Sequence, residues 1–256
     1  MLFVLSPAKK LDYDSALPTE LHTQPLFVKE AAQLIKVLKA QSATEVAALM
    51  DLSPSLAQLN VDRYAAWKPA FTQKNARQAV LAFNGDVYEG MNAATLKEKE
   101  LQWAQDHIAI LSGLYGVLRP LDLMQPYRLE MGTRLKNPGG ANLYQYWQKT
   151  IAPYLNERLA TEQAPILVNL ASEEYFKAVD LKAIKARVLQ CVFQDGKNGV
   201  YKIVSFHAKR ARGLMARFAI EHRATKPEDL KKFDREGYAY SASLSTDDKL
   251  VFRRAG

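Results

Sequence analysis

The segment Val188–Phe206, VLQCVFQDGKNGVYKIVSF, distinguishes a purely parallel sheet from a mixed one. In it, two β-prone apolar runs flank Asp195–Gly199, a polar stretch that contains two glycines. Such a stretch between two strand-forming runs predicts a β-hairpin, whose strands are antiparallel. We therefore expect the sheet to be at least partly antiparallel.

Outside this segment, short apolar runs alternate with helical patterns. The predicted strands are Leu2–Leu5, Val80–Phe83, Ile108–Leu111, Ile166–Leu170, Val188–Phe193, Val200–Phe206, Tyr238–Tyr240 and Leu250–Arg253. The predicted helices are Pro25–Ala40, Thr44–Met50, Pro54–Trp67, Ala94–Asp106, Tyr144–Leu159, Ala208–His222 and Pro227–Phe233. This alternation predicts an α/β (mixed α+β) fold in which helices flank a mixed sheet. A chain of 256 residues with 48% hydrophobic residues can form one such domain over residues 1–256.

The termini and cysteine content indicate a cytoplasmic protein. The N-terminal run Met1–Pro7 is too short and lacks the basic start of a signal peptide, and no apolar run reaches the length of a membrane span. The single cysteine, Cys191, excludes an internal disulfide and suits a reducing cytosol. Because it lies in an apolar strand, we expect Cys191 to be buried and unreactive.

The net charge of +8 is concentrated in one part of the chain. Between Lys197 and Lys226 there are eight Lys and Arg residues and one acid, Glu221, so this window carries +7 and the rest of the chain +1. A local excess of positive charge indicates a polyanionic partner. The alternative is a solvated basic surface that keeps the protein soluble.

The predicted helix Ala208–His222 carries much of this charge. At helical spacing its apolar residues fall on one face, and the basic residues fall on the other: Lys209, Arg210, Arg212, Arg217 and Arg223. Arginine suits phosphate because its planar fork donates two parallel hydrogen bonds. Gly213 in mid-helix indicates a close approach of another element or of a ligand.

The stretch Gly113–Gly132 is predicted to be a fixed, irregular loop, because it contains several glycines and prolines. In it, Arg119 and Arg128 are candidates for phosphate contacts. Alternatively, Asp122 and Glu130 pair with these two arginines and hold the loop in place. For Tyr115 and Tyr127, core packing is favoured over stacking on bases.

Polar residues follow several predicted strands, and ligands of α/β proteins usually bind beyond the carboxyl ends of strands. If the ends converge, one cleft is expected to contain the following residues: Ser6, Lys9, Lys10, Asp86, Ser172, Glu174, Lys209 and Arg210. A second hypothesis follows, in which this cleft belongs to an enzyme acting on nucleic acid or a nucleotide.

The segment Thr44–Trp67 is similar to a helix-hairpin-helix, a module whose turn presents backbone N–H groups to phosphate. The glycines usual in that turn are absent, and Asp51 would oppose phosphate. A plain αα-hairpin is therefore favoured over a helix-hairpin-helix for this segment.

Motifs of common enzymes are missing from the chain. It contains no Walker A loop, no G-x-G-x-x-G and no G-x-S-x-G, and its histidines lack the spacing of helical metal sites. We therefore expect no cofactor and no bound metal, and we favour a binding protein over an enzyme. Asp86 and the pair Glu173/Glu174, near strand ends, are a weak indication of magnesium, because scattered acids are common.

Several stretches together resemble the YaaA family of bacterial peroxide-stress proteins. The likeness runs from about residue 1 to residue 254 and rests on Ser6–Lys9, Phe83–Tyr88, Leu111–Gly132, Asn169–Lys177 and Ala208–Met215. The resemblance implies a cytosolic protein that limits damage from hydrogen peroxide and intracellular iron. It also implies a mixed α/β fold with a positively charged cleft, a helix-hairpin-helix-like element, and binding to double-stranded DNA.

The residues and the resemblance together favour a DNA-binding protein that contacts the phosphate backbone and protects indirectly, through DNA. The predicted contacts are Lys9, Lys10, Arg119, Arg128, Lys209, Arg210, Arg212 and Arg217. The expected partner is double-stranded or structured DNA, without a membrane or an obligate protein partner. An adaptor that docks an acidic protein is the third hypothesis.

Overall fold

The computed structural model describes residues 1–255. The strands are β1 Leu2–Leu5, β2 Lys10–Leu11, β3 Arg77–Gln78, β4 Phe83–Asn84, β5 Ile108–Ser112, β6 Gly116–Leu118, β7 Leu123–Met124, β8 Ile166–Leu170, β9 Arg187–Lys197, β10 Val200–Lys202, β11 Ala239–Tyr240 and β12 Lys249–Arg254. The α-helices are α1 Val28–Lys39, α2 Ala43–Met50, α3 Pro54–Ala66, α4 Ala79–Ala82, α5 Asp86–Met91, α6 Glu98–His107, α7 Leu143–Trp147, α8 Ile151–Leu159, α9 Glu173–Phe176, α10 Ser205–His222 and α11 Pro227–Leu230. Short 3₁₀ helices cover Ala93–Thr95, Arg235–Gly237 and Ala242–Leu244.

The main sheet has the strand order β11-β12-β9-β8-β1-β5-β6, and β10 pairs with β9. The five strands from β12 to β5 are parallel, whereas β6, β10 and β11 pair with their neighbours in the antiparallel sense. The predicted mixed, partly antiparallel sheet flanked by helices is thus confirmed. The predicted hairpin is also confirmed, because Val200 pairs with Lys197 across its turn.

Two strand predictions were wrong in type or extent. Val80–Phe83 was predicted as a strand, but Ala79–Ala82 forms the helix α4 and only Phe83 enters the short strand β4. Four consecutive buried apolar residues fit a short buried helix as well as a strand, so the pattern is ambiguous. The predicted strand Val200–Phe206 ends at Lys202, because α10 begins at Ser205.

The order in which strands are added to the sheet reverses at β1, because later strands pair on both of its sides. From β1 the chain crosses to β5 on one side, and it later returns to β8 on the other side of β1. Both neighbours are parallel to β1, so the carboxyl ends of β1 and β8 lie at the same edge. Connections leave these two strands in opposite directions, and the resulting crevice is where open α/β sheets usually bind ligands.

The loop Gly113–Gly132 is part of the core rather than a surface feature. Tyr115 and Tyr127 are buried, as expected from the core-packing interpretation. The Tyr127 hydroxyl is 2.6 Å from the Ser112 hydroxyl, and the indole N–H of Trp147 donates to the Gly113 carbonyl at 2.9 Å. These buried hydrogen bonds fix the loop against the end of β5, because leaving any of the groups unpaired would cost free energy.

Helices α2 and α3 form the two helices predicted within Thr44–Trp67. Ser42 and Glu45 form a capping box at the start of α2, and Ser53 caps α3 ahead of Pro54. Asp51 lies between the helices in the left-handed conformation, with φ of 52°. Side-chain caps therefore fix the start of each helix, and the turn between the helices is closed by the backbone N–H groups of Asp51 and Leu52, which donate to the Ala47 carbonyl.

Among residues 1–255, no helix combines the length and the apolar character needed to cross a bilayer.

Candidate functional site

A cleft opens at the carboxyl ends of β1 and β8, at the reversal point of the sheet. Its base is a serine pair: the backbone N–H of Ser172 donates to the Ser6 hydroxyl oxygen at 2.8 Å, and the two hydroxyls are 3.2 Å apart. Ser6 directly follows the buried strand β1, and Ser172 is the second residue after the buried strand β8, where the chain turns away from the sheet. Tyr88 fixes the same edge, since its hydroxyl donates to the Ser6 carbonyl at 3.0 Å.

One wall of the cleft comes from the two-stranded ladder of β2 and β4. Lys10 pairs with Asn84 in this ladder, which brings the segment after β1 next to the start of α5. Lys9 and Lys10 therefore line the same cavity as Asp86, although Asp86 lies more than 70 residues further along the chain. Asp86 is partly buried, and its carboxylate has no ion pair or side-chain hydrogen bond to any described residue.

A second wall carries two glutamates with defined partners. Glu130 accepts hydrogen bonds from the guanidinium of Arg128, at 3.1 and 3.2 Å, and forms an ion pair with Lys9 at 2.6 Å. Glu174 accepts a hydrogen bond from the backbone N–H of Gly132 at 2.9 Å. The glutamates thus tie the end of the Gly113–Gly132 loop to the cleft.

Helix α10 closes the cleft with Lys209 and Arg212. It packs directly on α5, and the contact is close because glycines face each other there: a Cβ added to Gly213 would overlap the Val87 carbonyl oxygen, and one added to Gly90 would overlap that of Arg210. The close packing predicted from Gly213 is confirmed. It fixes the distance between Asp86 on α5 and Arg212 on α10.

The cavity has a volume of about 310 Å³. Four cations and three carboxylates line it, namely Lys9, Lys10, Lys209, Arg212, Asp86, Glu130 and Glu174. Ser6 and Ser172 are also in the lining, so the expected convergence of strand ends is present for these residues. The sequence patterns did not place Glu130, Tyr88 or Tyr175 in the cleft. Tyr88 and Tyr175 lie just after the Gly85–Asp86 and Ser172–Glu174 segments, which was the available signal for them, whereas Glu130 lies in the distant Gly113–Gly132 stretch.

Five of the eight candidate phosphate contacts are occupied by other partners, and Lys9, which pairs with Glu130 as described above, is one of them. Arg119 pairs with Asp122 at 2.8 Å, and Arg128 pairs with Glu130 at 3.1 Å, as in the alternative considered from the sequence. Arg210 lies outside the cavity lining and pairs with Glu236 at 2.6 Å. Arg217 pairs with Glu221 at 2.8 Å and donates to the carbonyl groups of Met91 and Asn92 at the end of α5.

The expected row of exposed arginines on α10 is therefore not present. The acid that pairs with Arg217 is Glu221, one turn further along α10. The acid that pairs with Arg210 is Glu236, in the 3₁₀ helix Arg235–Gly237, and its position opposite Arg210 cannot be read from the sequence. Of the helix's basic residues, Lys209 is exposed without a carboxylate partner in residues 1–255. Arg212 is partly buried, and burial lowers the pKa of its guanidinium.

Cys191 lies in the interior on β9, as expected. Burial raises the pKa of its thiol to about 12, and the positive charge of Arg212 opposes this only weakly. At pH 7 the unreactive thiol therefore predominates over the nucleophilic thiolate.

We predict that hydrogen peroxide leaves Cys191 unmodified in the folded protein, because both burial and the raised pKa suppress the thiolate. Intact-mass spectrometry after peroxide treatment should show an unchanged thiol, and the same treatment in urea should produce oxidised species. A sulfenic acid on the folded protein would contradict the prediction.

The fold and the cleft define a mixed α/β protein with a cation-bearing cavity at the reversal point of its sheet. The family model described as "Peroxide stress protein YaaA" matches residues 1–244, and the chain belongs to this family. The chain is 73% identical over 254 residues to a UPF0246 protein of Bordetella petrii, covering 99% of both chains. It is 71% identical to one of Bordetella pertussis over the same coverage, and 65% identical to one of Paracidovorax citrulli, covering 99% of this chain and 98% of the relative.

Proposed function

We propose that this peroxide-stress family member binds the phosphate backbone of DNA at the mouth of the cleft, in the cytosol. The observation that carries the proposal is the position of Lys10 and Lys209. They come from β2 and α10, line the same cavity, are exposed, and have no carboxylate partner among the described residues. Cations that are not paired within the protein can replace the counterions of a polyphosphate.

Nearby charge supports the same function. The hairpin of β9 and β10 directly precedes α10, and it carries Lys197 and Lys202, which are both exposed and outside any ion pair in residues 1–255. The surrounding window Lys197–Lys226 has a charge of +7 in sequence, a value that already includes the Arg217–Glu221 pair; Glu236, outside the window, neutralises Arg210 as well. The proposal therefore assigns the backbone contacts to lysines rather than to the arginines of α10.

Reversing the charge of both lysines tests the proposal. Lys10→Glu with Lys209→Glu is expected to lower affinity for a short duplex by more than tenfold and to reduce the slope of log K against log salt by about 2, since each phosphate contact contributes roughly 0.9. Fluorescence anisotropy between 50 and 200 mM salt measures both quantities. Thermal unfolding should be nearly unchanged, because neither side chain is buried or paired.

The matched control is Lys29→Glu with Lys36→Glu, two exposed lysines of α1, a helix that contributes nothing to the cleft lining. It changes the net charge by the same amount. Equal affinities of the two double variants would show that charge at the cleft has no special role, and the backbone proposal would be abandoned.

Catalysis on nucleic acid or a nucleotide is the second candidate function. It is favoured by the cavity itself, in which the partly buried carboxylate of Asp86 has no ion pair or side-chain hydrogen bond to residues 1–255. Incubation with labelled DNA, RNA and nucleotides in the presence of divalent metals tests it. Conversion of one of them, lost in Asp86→Asn, is the expected result; absence of any product rejects it.

A further inference from the structure

Arg212 has no hydrogen-bonding or ion-pair partner among residues 1–255. It lies on α10 between the fully covered residues Ala211 and Gly213, and its side chain lines the cleft. No ion pair and no side-chain hydrogen bond connects its guanidinium to any residue of the described part of the chain. By contrast, Arg217 of α10 and both arginines of the Gly113–Gly132 loop, Arg119 and Arg128, are each paired with a carboxylate.

An unpaired, partly buried guanidinium destabilises the protein in which it stands. Its five N–H donors have lost part of their water and have gained no acceptor, and the lowered pKa reflects this loss of hydration. Arginine stays charged nonetheless, because its unperturbed pKa is far above 7. An anion that enters the cleft would supply the missing partner.

Other groups in the same cavity have unused hydrogen-bonding capacity. The Ser172 hydroxyl accepts from Ser6, and its own hydrogen has no acceptor in residues 1–255. Asp86 is an acceptor without a donor, and Glu174 uses one carboxylate oxygen for Gly132. The cavity therefore offers donors for an anionic group and acceptors for hydroxyl or amino groups.

Its volume of about 310 Å³ is at the lower end of the range of small-molecule pockets, which is roughly 300–1,000 Å³. It accommodates one small ligand and excludes a run of duplex. A nucleotide combines the required features, because it carries a phosphate together with ribose hydroxyls and, in most bases, an amino group.

We propose that the cavity binds a single nucleotide, whose phosphate pairs with Arg212 and Ser172 and whose hydroxyl or amino groups donate to Asp86 and Glu174. This site goes beyond the backbone contacts proposed above. It needs neither a duplex nor catalysis, and it stands if Lys10 and Lys209 contribute nothing to DNA affinity.

Titration of the full-length protein with AMP, GMP, CMP, TMP and inorganic phosphate tests the site. Calorimetry should show one nucleotide bound per chain, and the melting temperature should rise with nucleotide concentration. Arg212→Met should weaken nucleotide binding at least tenfold while the melting temperature of the unliganded protein stays the same or rises, because a cation without a partner has been removed. Lys36→Met, which removes an exposed charge from α1, should change neither quantity.

Asp86→Asn provides a second, independent readout. It should weaken nucleotide binding but leave inorganic phosphate binding unchanged, since the carboxylate is assigned to hydroxyl or amino groups and not to the phosphate. This variant keeps the size of the side chain, so folding is not at risk.

The nucleotide can come from solution or from a DNA strand, and a further comparison separates these sources. Tighter binding of a duplex with one unpaired nucleotide than of a fully paired duplex, with the difference lost in Arg212→Met, identifies a nucleotide within DNA. Binding of free nucleotides without that difference identifies a soluble ligand.

Three outcomes would overturn the proposal. One is the absence of binding by every nucleotide tested. Another is a large fall in the melting temperature of unliganded Arg212→Met, which would make Arg212 a structural residue. The third is equal affinity for nucleotides and inorganic phosphate with no effect of Asp86→Asn, which would leave only a phosphate site.

Discussion

Gly213→Ala is expected to lower the free energy of unfolding by about 3 kcal/mol. In an ordinary helix the same substitution stabilises by roughly 1 kcal/mol, because alanine has the higher helix propensity. Here the new Cβ would overlap the Val87 carbonyl oxygen and lie 2.9 Å from the Met91 nitrogen. Both are backbone atoms, so α5 and α10 must separate to accommodate the methyl group. Urea unfolding followed by circular dichroism measures the change.

Gly90→Ala tests the same contact from the opposite helix, since its Cβ would overlap the Arg210 carbonyl oxygen and lie 3.0 Å from the Leu214 nitrogen. The double variant should lose less stability than the sum of the two single variants, because one separation of the helices relieves both overlaps. Additive losses would argue against a shared contact. A Gly213→Ala protein more stable than the parent would show that helix propensity outweighs the overlap.

The same contact connects stability to function. Asp86 is the first residue of α5, and Arg212 directly precedes Gly213 on α10. A separation of the two helices therefore widens the cleft between these two side chains. Any Gly213→Ala protein that still folds should bind the proposed nucleotide more weakly.

Asp122→Ala is the second substitution with a large expected effect, a loss of about 3–5 kcal/mol in the free energy of unfolding. The carboxylate is fully buried and accepts hydrogen bonds from the Thr23 hydroxyl at 2.6 Å, the Arg119 backbone N–H at 2.8 Å and the Arg119 guanidinium at 2.8 Å. Its removal leaves three donors unpaired, one of them charged. Thermal or chemical unfolding measures the effect.

Asp122→Asn is the matched control for shape. It keeps an acceptor oxygen but not the negative charge, so a smaller loss is expected. Equal stability of Asp122→Ala and the parent would mean that Arg119 finds other partners, and Arg119 would return to the set of candidate DNA contacts.

Local patterns were sufficient to identify β1, β5, β8 and the β9–β10 hairpin. A compact apolar run bounded by polar or glycine-rich turns has few alternatives to a buried strand, because its apolar side chains must be covered. The polar residues that follow β1 and β8 also indicated a site, and Lys9, Asp86, Ser172 and Lys209 do line one cavity. The long matched motifs indicated the family.

The apolar run Val80–Phe83 shows where a local pattern fails. Its four buried residues satisfy either a helix or a strand, and the pairing of β3 with β7 and of β2 with β4 leaves room for a single helical turn between them. Neighbouring strands distant in sequence thus determined its conformation.

In helix α10, too, elements distant in sequence determine which side chains reach the cleft. A helical wheel divides it into one apolar and one basic face, but α5 and β9 both pack on it, so Ala208, Gly213 and Ala216 are covered as well. Arg212 consequently is partly buried and borders the cleft instead of standing on a solvated surface.

Residue order along the chain was therefore enough to establish the kind of elements, the mixed sheet and the edge at which a ligand would bind, because burial and turn formation act over a few neighbouring residues. Which cations are available depended on long-range packing: Arg210 meets Glu236 and Arg119 reaches Gln24 only in the folded chain. Charge pairing acts over a few ångströms in space, and sequence separation does not reveal which acid will lie within that distance.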